Sequence, residues 1–205
     1  VNGKGDLIKS GGTVVKNVTG YDLSKLIAGS FGTLIALTEV TLKVLPKKNL
    51  SNTVAVYIED KKDIYELFEK LSSSSSEISA AVYLPNEPES DDYKKNKDKV
   101  FKFNDLKFSG PFLALRIEGD KNSIDEKIKA LSIELNLINF KTVLLDVYQS
   151  VPFWKKINNL ELFENTSNNL LRCVITPSNG YKMIQFLGNK YKFYVDWCGS
   201  LFWIE

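Results

Sequence analysis

The chain has 205 residues, of which 43% are hydrophobic and 25% are charged, so it can bury a sizeable core in one domain or two small ones. Its 27 basic and 25 acidic residues leave a net charge of +2, which offers nucleic acid no extended positive surface. Apolar runs stay well below the roughly 20 residues that a helix needs to cross a bilayer, so the chain is expected to be soluble.

Glycine is concentrated at the start of the chain, where seven of the twelve glycines fall within the first 32 residues. Because glycine has no Cβ, it lets the main chain approach another group closely. Between Gly20 and Gly29 the sequence predicts a helix of about two turns, with Asp22 as its N-cap and Gly29 just after its last turn. Residues 40–44 then alternate apolar and polar, which predicts a strand. From these residues alone, the segment is either a wall of a ligand site or a tight corner that binds nothing.

The polar residues 47–52 are typical of a linker into a second unit. The charged stretch over residues 85–106 is predicted to be a solvated loop or a hairpin insertion, with a charged docking surface as the alternative. The order of elements predicts an α+β fold in which a ferredoxin-like antiparallel sheet carries helices on one face. The spacing of apolar residues predicts strands over residues 53–58, 78–84, 111–118, 141–147, 170–175 and 191–197, and helices over residues 61–71, 123–135, 151–163 and 181–187.

Histidine is missing from the sequence, and the two cysteines are Cys173 and Cys198. Both cysteines lie among apolar residues, which favours buried thiols. A zinc site needs about four suitable ligands, so the sequence predicts no metal site. Because the sequence has no histidine, a Ser-His-Asp or Cys-His catalytic arrangement within these residues is also excluded.

Several side chains of the second unit allow two interpretations. Large aromatics such as Trp154, Trp197 and Trp203 either belong to the core or line a pocket. The strand arginines Arg116 and Arg172 either clamp a carboxylate with their paired N–H groups or face solvent. Asp196 is either a buried polar group of a site or the end of a strand; the sequence predicts no specific catalytic residue.

Two blocks of sequence resemble a known family. The first lies within residues 11–46 and reads Gly-Gly-x-Val-Val-Lys-Asn-Val-Thr-Gly-Tyr-Asp-Leu-x-x-Leu, then Gly-Ser-x-Gly-Thr-Leu, then Thr-Glu-Val-Thr-Leu-Lys-Val-Leu-Pro. The second is spread over residues 151–203 and contains Val-Pro-Phe-Trp-Lys-Lys-Ile, Leu-Leu-Arg-Cys-Val-Ile-Thr-Pro-Ser and Val-Asp-Trp-Cys-Gly-Ser-Leu-Phe-Trp. Together they resemble FAD-linked oxidases of the vanillyl-alcohol oxidase superfamily, and within it the FAD-binding subunits of bacterial glycolate oxidases.

The resemblance implies a domain plan and a cofactor site. Residues 1–48 would be the C-terminal portion of a PCMH-type FAD-binding domain, and residues 49–205 would be an α+β cap or substrate domain. The whole would be an internal fragment of a longer protein, with the first half of the FAD-binding domain preceding Val1. FAD would be bound noncovalently, against main-chain donors and residues lying along the cofactor: Gly20, Gly29, Ser30, Gly32, Thr33, Ile35 and Ala36.

The resemblance also implies a reaction and partners. FAD would oxidise a 2-hydroxy acid such as glycolate to the 2-oxo acid, and the electrons would pass to other subunits, a second flavoprotein and an iron-sulfur protein. The protein would be cytoplasmic, with any membrane association through those partners.

Two alternatives remain. Family members usually carry glycine where this chain has Ile35, and a branched side chain there would crowd a close backbone contact. That departure favours a non-catalytic scaffold subunit that has lost flavin binding. The other alternative is a ferredoxin-like RNA-binding module, although the basic and aromatic strand pattern of such modules is missing.

Overall fold

Two units make up the chain, Val1–Lys47 and Lys48–Glu205. The computed structural model describes residues 1–12, 20–85, 101–103, 106–108, 110–163, 169–188 and 190–205. Whether the units correspond to part of an FAD-binding domain and to a cap domain stays a prediction.

Unit 1 contains one short helix, α1 (Leu23–Ile27), in its described residues. The predicted strand over residues 40–44 is wrong: those residues pair with no other strand in the part of the chain that the structure describes. A strand needs a partner for its N–H and C=O groups, and sequence alternation cannot supply one. The apolar residues of this segment are exposed, with Leu42 at 75% and Val44 at 80%.

Unit 2 is built on a seven-stranded antiparallel sheet with the strand order β6-β1-β5-β2-β8-β9-β7, beside a separate two-stranded pair, β3 and β4. The strands are β1 (Leu50–Tyr57), β2 (Ile78–Leu84), β3 (Phe101–Phe103), β4 (Leu106–Phe108), β5 (Phe112–Gly119), β6 (Thr142–Leu145), β7 (Leu171–Val174), β8 (Phe193–Asp196) and β9 (Leu201–Ile204). The helices are α2 (Lys61–Ser72), α3 (Ile124–Glu134), α4 (Val147–Asn158) and α5 (Pro177–Leu187).

The first half of the sheet has the ferredoxin-like order that the sequence predicts. Strands β1, β2, β5 and β6 are arranged as β6-β1-β5-β2, and helices α2 and α3 connect the parallel members of this set. Strand β8 then pairs with the free edge of β2, through Val82 with Asp196 and Tyr83 with Val195. The remaining strands β9 and β7 extend the sheet beyond the four-stranded core of a ferredoxin fold.

Helices cover both faces of the sheet, so the prediction of helices on one face is wrong. Residues Val54 and Val56 of β1 belong to a core cluster that includes side chains of α2, α3 and α5. Their neighbour Ala55 points the other way, into a second cluster with Phe153 and Ile157 of α4. Side chains on a strand alternate between faces, so a strand that is apolar on both faces, as β1 is here, needs cover on both. Periodicity locates a helix but does not say which face it covers.

Capping explains where two helices begin. Helix α4 starts at Val147, four residues earlier than predicted, because Asp146 and Gln149 form a reciprocal capping box. Helix α5 starts at Pro177 rather than at residue 181, since proline is well suited to a first helical position. In the charged stretch, β3 and β4 are antiparallel to each other, whereas residues 86–100, 104 and 105 lie outside the described residues.

A buried hydrogen-bond network fixes α4 to β1. The Trp154 Nε1–H donates to Thr53 Oγ1 at 2.8 Å, and Thr53 Oγ1 shares a second bond of 2.7 Å with Ser150 Oγ. The Ser51 Oγ lies 3.4 Å from the same Ser150 Oγ. Thr53 and Ser150 are fully buried, so each polar atom depends on these partners.

Replacing Thr53 by valine tests this network. Thr53→Val keeps the side-chain shape but leaves the Trp154 N–H buried without its acceptor, which is expected to cost about 1–3 kcal/mol in unfolding free energy. Urea denaturation measures the loss. The double variant with Trp154→Phe is expected to lose less than the sum of the two single variants, because the orphaned donor is gone. A Thr53→Val chain as stable as the native one would contradict the assignment.

Candidate functional site

Helix α1 and its flanking glycines form the segment in which the sequence places a cofactor site. Asp22 caps the helix by accepting from the N–H of Lys25 at 3.2 Å, as predicted. Gly20, Gly29 and Gly32 all have left-handed backbone, with φ of +79°, +81° and +75°. At Gly29 and Gly32 an added Cβ would meet no atom of the described residues within 4 Å, so among those residues open space lies beside the main chain.

The other predicted site residues form a compact turn. The N–H of Ser30 donates to the Ile27 carbonyl at 3.0 Å, and the N–H of Thr33 donates to the Ser30 carbonyl, also at 3.0 Å. The Thr33 hydroxyl donates to that same Ser30 oxygen at 2.7 Å. These two N–H groups are therefore used within the turn, whereas the glycines present the approachable main chain.

Ile35 and Ala36 lie beside the start of the chain. Ile35 forms an antiparallel bridge with Asn2, and the N–H of Ala36 donates to the Val1 carbonyl at 2.9 Å. The Val1 ammonium donates back to the Ala36 carbonyl at 2.8 Å. The structure thus gathers all seven predicted residues into one segment of unit 1, and their role in cofactor binding stays a prediction.

In unit 2 the two strand arginines have different surroundings. The Arg116 Nε–H donates to Ser79 Oγ at 2.9 Å, and its Nη2 lies 3.9 Å from a carboxylate oxygen of Glu118. Its guanidinium also lies 5.4 Å from the ring of the buried Trp154. These contacts support a structural role for both Arg116 and Trp154.

Arg172 instead lies on exposed surface against two tryptophans. Its guanidinium carbon is 5.5 Å from the ring centre of Trp197 and 5.8 Å from that of Trp203. Trp203 is the direct register partner of Arg172 across β7 and β9, and Trp197 follows the end of β8. Sequence alternation can place Arg172 and Trp203 on strand faces, but only the register brings them together.

Asp196 caps the turn that carries Trp197. Its carboxylate accepts from the Trp197 N–H at 2.7 Å. Burial raises the pKa of Asp196, while that hydrogen bond and the nearby Arg116 charge act in the opposite direction. The thiol of Cys198 is half-buried, and burial together with Asp196 raises its pKa, so it is held as a neutral thiol.

The turn at Trp197 is strained. Both Trp197 and Cys198 have φ of +51°, a left-handed conformation that non-glycine residues rarely adopt. Gly199 ends the turn between two packed elements: an added Cβ on Gly199 would lie 3.0 Å from the Phe68 ring of α2. On α5, an added Cβ on Gly180 would lie 2.5 Å from the Gly199 carbonyl oxygen. Close packing therefore holds the strained backbone in place. In the sequence, the only direct signal of this left-handed turn is the glycine that follows Cys198.

Two features are missing from the described residues, a metal-binding cluster and a membrane-spanning helix. These residues contain no group of three or more histidine, cysteine, aspartate or glutamate side chains placed to hold a metal ion. They also contain no helix of the length and apolar character that crossing a membrane requires.

Relatives with assigned names match parts of the chain. Glycolate oxidase subunit GlcE of Escherichia coli is 51% identical over 51 residues, which are 25% of this chain and 15% of that protein. An uncharacterised FAD-linked oxidoreductase of Mycobacterium tuberculosis is 34% identical over 82 residues, 40% of this chain and 18% of that protein. The mitochondrial D-2-hydroxyglutarate dehydrogenase of Arabidopsis thaliana is 28% identical over 161 residues, 76% of this chain and 28% of that protein.

These matches confirm the resemblance to FAD-linked oxidoreductases. A scan against known protein families finds no match. The matched part of the chain spans between 15% and 28% of the lengths of these three relatives. The activity, substrate and partners of a whole protein therefore follow below as proposals.

Replacing Gly180 by alanine tests the packing behind the strained turn. The added methyl group would overlap the Gly199 carbonyl, and overpacking of this kind is expected to cost about 1–3 kcal/mol in unfolding free energy. Thermal or urea unfolding measures it. Lys182→Ala, on the exposed side of the same helix, is the control and is expected to leave stability nearly unchanged. Equal stability of the two variants would show that the turn is not clamped.

Asp196 gives a pH-dependent prediction. Because burial raises its pKa in the folded chain, ionised Asp196 costs stability at neutral pH, and that cost disappears as the pH falls below the ordinary value of 3.8. Asp196→Asn keeps an oxygen for the Trp197 N–H and removes the charge. It is expected to be more stable than the native chain at neutral pH, with the gain vanishing in acid. Unfolding free energies of the two chains are measured from neutral pH to below pH 3.8. A stability gain of Asp196→Asn that grows as the pH falls would contradict the prediction.

Proposed function

We propose that this relative of FAD-linked oxidoreductases forms part of a flavoprotein that oxidises a 2-hydroxy acid to the 2-oxo acid. The names of its relatives support the reaction class, since they include a glycolate oxidase subunit and a D-2-hydroxyglutarate dehydrogenase. Glycolate is the substrate that we favour. Bound FAD would supply the acceptor for a hydride from the carbinol carbon, which amino-acid side chains cannot provide.

The glycine segment of unit 1 is the proposed flavin-binding wall, and its open main chain is the observation that carries the proposal. A flat cofactor or its phosphates can approach a backbone only where no side chain intervenes, and Gly29 and Gly32 leave such space. Gly20, Ser30 and Thr33 would line the same wall. Ile35 and Ala36 would lie along the cofactor. The residues present therefore fit a noncovalently bound FAD.

Partner subunits belong to the same proposal. One relative is named as a subunit of glycolate oxidase, and we propose that this chain likewise works beside other subunits, a second flavoprotein and an iron-sulfur protein, that receive the electrons. A cytoplasmic location, with any membrane attachment through those subunits, stays a prediction.

A scaffold subunit without flavin is the second candidate, and Ile35 is the observation that favours it. Its branched side chain stands where the resemblance implies a glycine, and its backbone is already bridged to Asn2. A scaffold of this kind would keep the fold and leave the chemistry to a partner.

Flavin titration separates the two candidates. The 205-residue chain, and a longer form with any residues encoded before Val1, are titrated into FAD while quenching of flavin fluorescence is followed. The proposal predicts saturable quenching by at least the longer form, weakened about tenfold or more by Gly32→Val, because a branched residue strains left-handed backbone. Gly3→Ala, at a glycine outside the left-handed region, is the matched control.

Two outcomes of this titration would contradict the flavoprotein proposal. If neither native chain quenches FAD and Ile35→Gly does, the scaffold interpretation replaces the flavoprotein one. If Gly32→Val binds as well as Gly3→Ala, the flavin does not lie against the glycine segment.

A further inference from the structure

Arg172 lies in an unusual setting for an exposed arginine. Two indole rings contact its guanidinium, those of Trp197 and Trp203, at 5.5 Å and 5.8 Å. Aromatic faces attract a cation and limit its motion, and a guanidinium on such faces can still donate N–H groups in its own plane. The side chain is thereby held in place before any anion arrives.

The charge of Arg172 is also uncompensated among the described residues. No carboxylate there lies within ion-pair distance of it, whereas Arg116 has both Ser79 and Glu118 as partners. Of the two strand arginines, only Arg172 therefore has the capacity to bind an added anion. A fixed guanidinium matches a carboxylate with two parallel hydrogen bonds.

Backbone strain supports a binding role for the same place. Two successive non-glycine residues, Trp197 and Cys198, are in the left-handed conformation, which is energetically unfavourable for residues other than glycine. The left-handed turn positions the indole ring of Trp197, which is 55% exposed, against the guanidinium of Arg172. A core residue would need no such exposure, so strain here points to function rather than to packing.

We propose that Arg172, Trp197 and Trp203 form a binding site for the carboxylate of a small 2-hydroxy acid. The inference rests on the proposed function for the class of acid, and the site itself rests on the geometry. Arg172 is the anion-binding residue, and the tryptophans position its guanidinium.

Glycolate titration followed by tryptophan fluorescence and by calorimetry tests the site, with no electron acceptor present. The native chain is expected to bind glycolate saturably with a change in indole emission. Arg172→Gln is expected to weaken binding by about tenfold to a hundredfold, and Arg172→Lys by less, since lysine keeps the charge but loses the paired N–H groups. Lys192→Gln is the matched control, because Lys192 lies 5.7 Å from a single ring, that of Phe163, outside the proposed site. Circular dichroism confirms that each variant is folded.

Each outcome has one meaning. Unchanged glycolate affinity in both Arg172 variants would overturn the site. Absence of glycolate binding to the native chain by calorimetry would also overturn it. The flavin titration is independent: FAD binding without glycolate binding would refute this site alone, whereas glycolate binding lost in Arg172→Gln without FAD binding would support the site and refute the flavoprotein proposal.

Discussion

Strands β1, β5 and β2 are paired on both sides and bury most of their residues in clusters on both faces of the sheet, and the rest of unit 2 depends on this double burial. Their side chains must alternate between two separate apolar clusters, one against α2, α3 and α5 and the other against α4. Thr53 is a fully buried polar residue on a central strand, and its hydroxyl is satisfied by Ser150 and Trp154 of α4. The same contacts that satisfy it also fix the position of that helix.

The cover that α4 provides ends near β8. The hydroxyl of Tyr194 donates to the Ile157 carbonyl at 3.1 Å, and its ring stacks with Phe163, so β8 is covered on that face at Tyr194. Beyond it the face carries the half-buried Trp203 and the exposed Arg172. Among the described residues, the charged Arg172 side chain on this part of the face lies against aromatic rings.

Local patterns in the sequence predict much of this fold and little of its assembly. Alternation locates β2 at residues 78–84, and Asp22 and Gly29 bound the helix of unit 1, because these features depend on neighbouring residues alone. The face chosen by α4, the register that joins Arg172 to Trp203, and the left-handed backbone of Trp197 depend on contacts distant in sequence. The alternation over residues 40–44 predicted a strand wrongly for the same reason, because a strand must pair with a partner that is distant in sequence. The glycine segment could be located as a candidate site from its motif, but its internal hydrogen bonds could not.

The central claim is that the glycine segment is a flavin-binding wall. Amide hydrogen exchange, measured residue by residue with and without FAD, tests it most directly because it reports where the cofactor lies as well as whether it binds. The account predicts slower exchange at residues 20–36 on adding FAD, with the strands of the seven-stranded sheet unchanged or affected far less. Unchanged exchange at residues 20–36 under saturating FAD, or protection confined to unit 2, would contradict it.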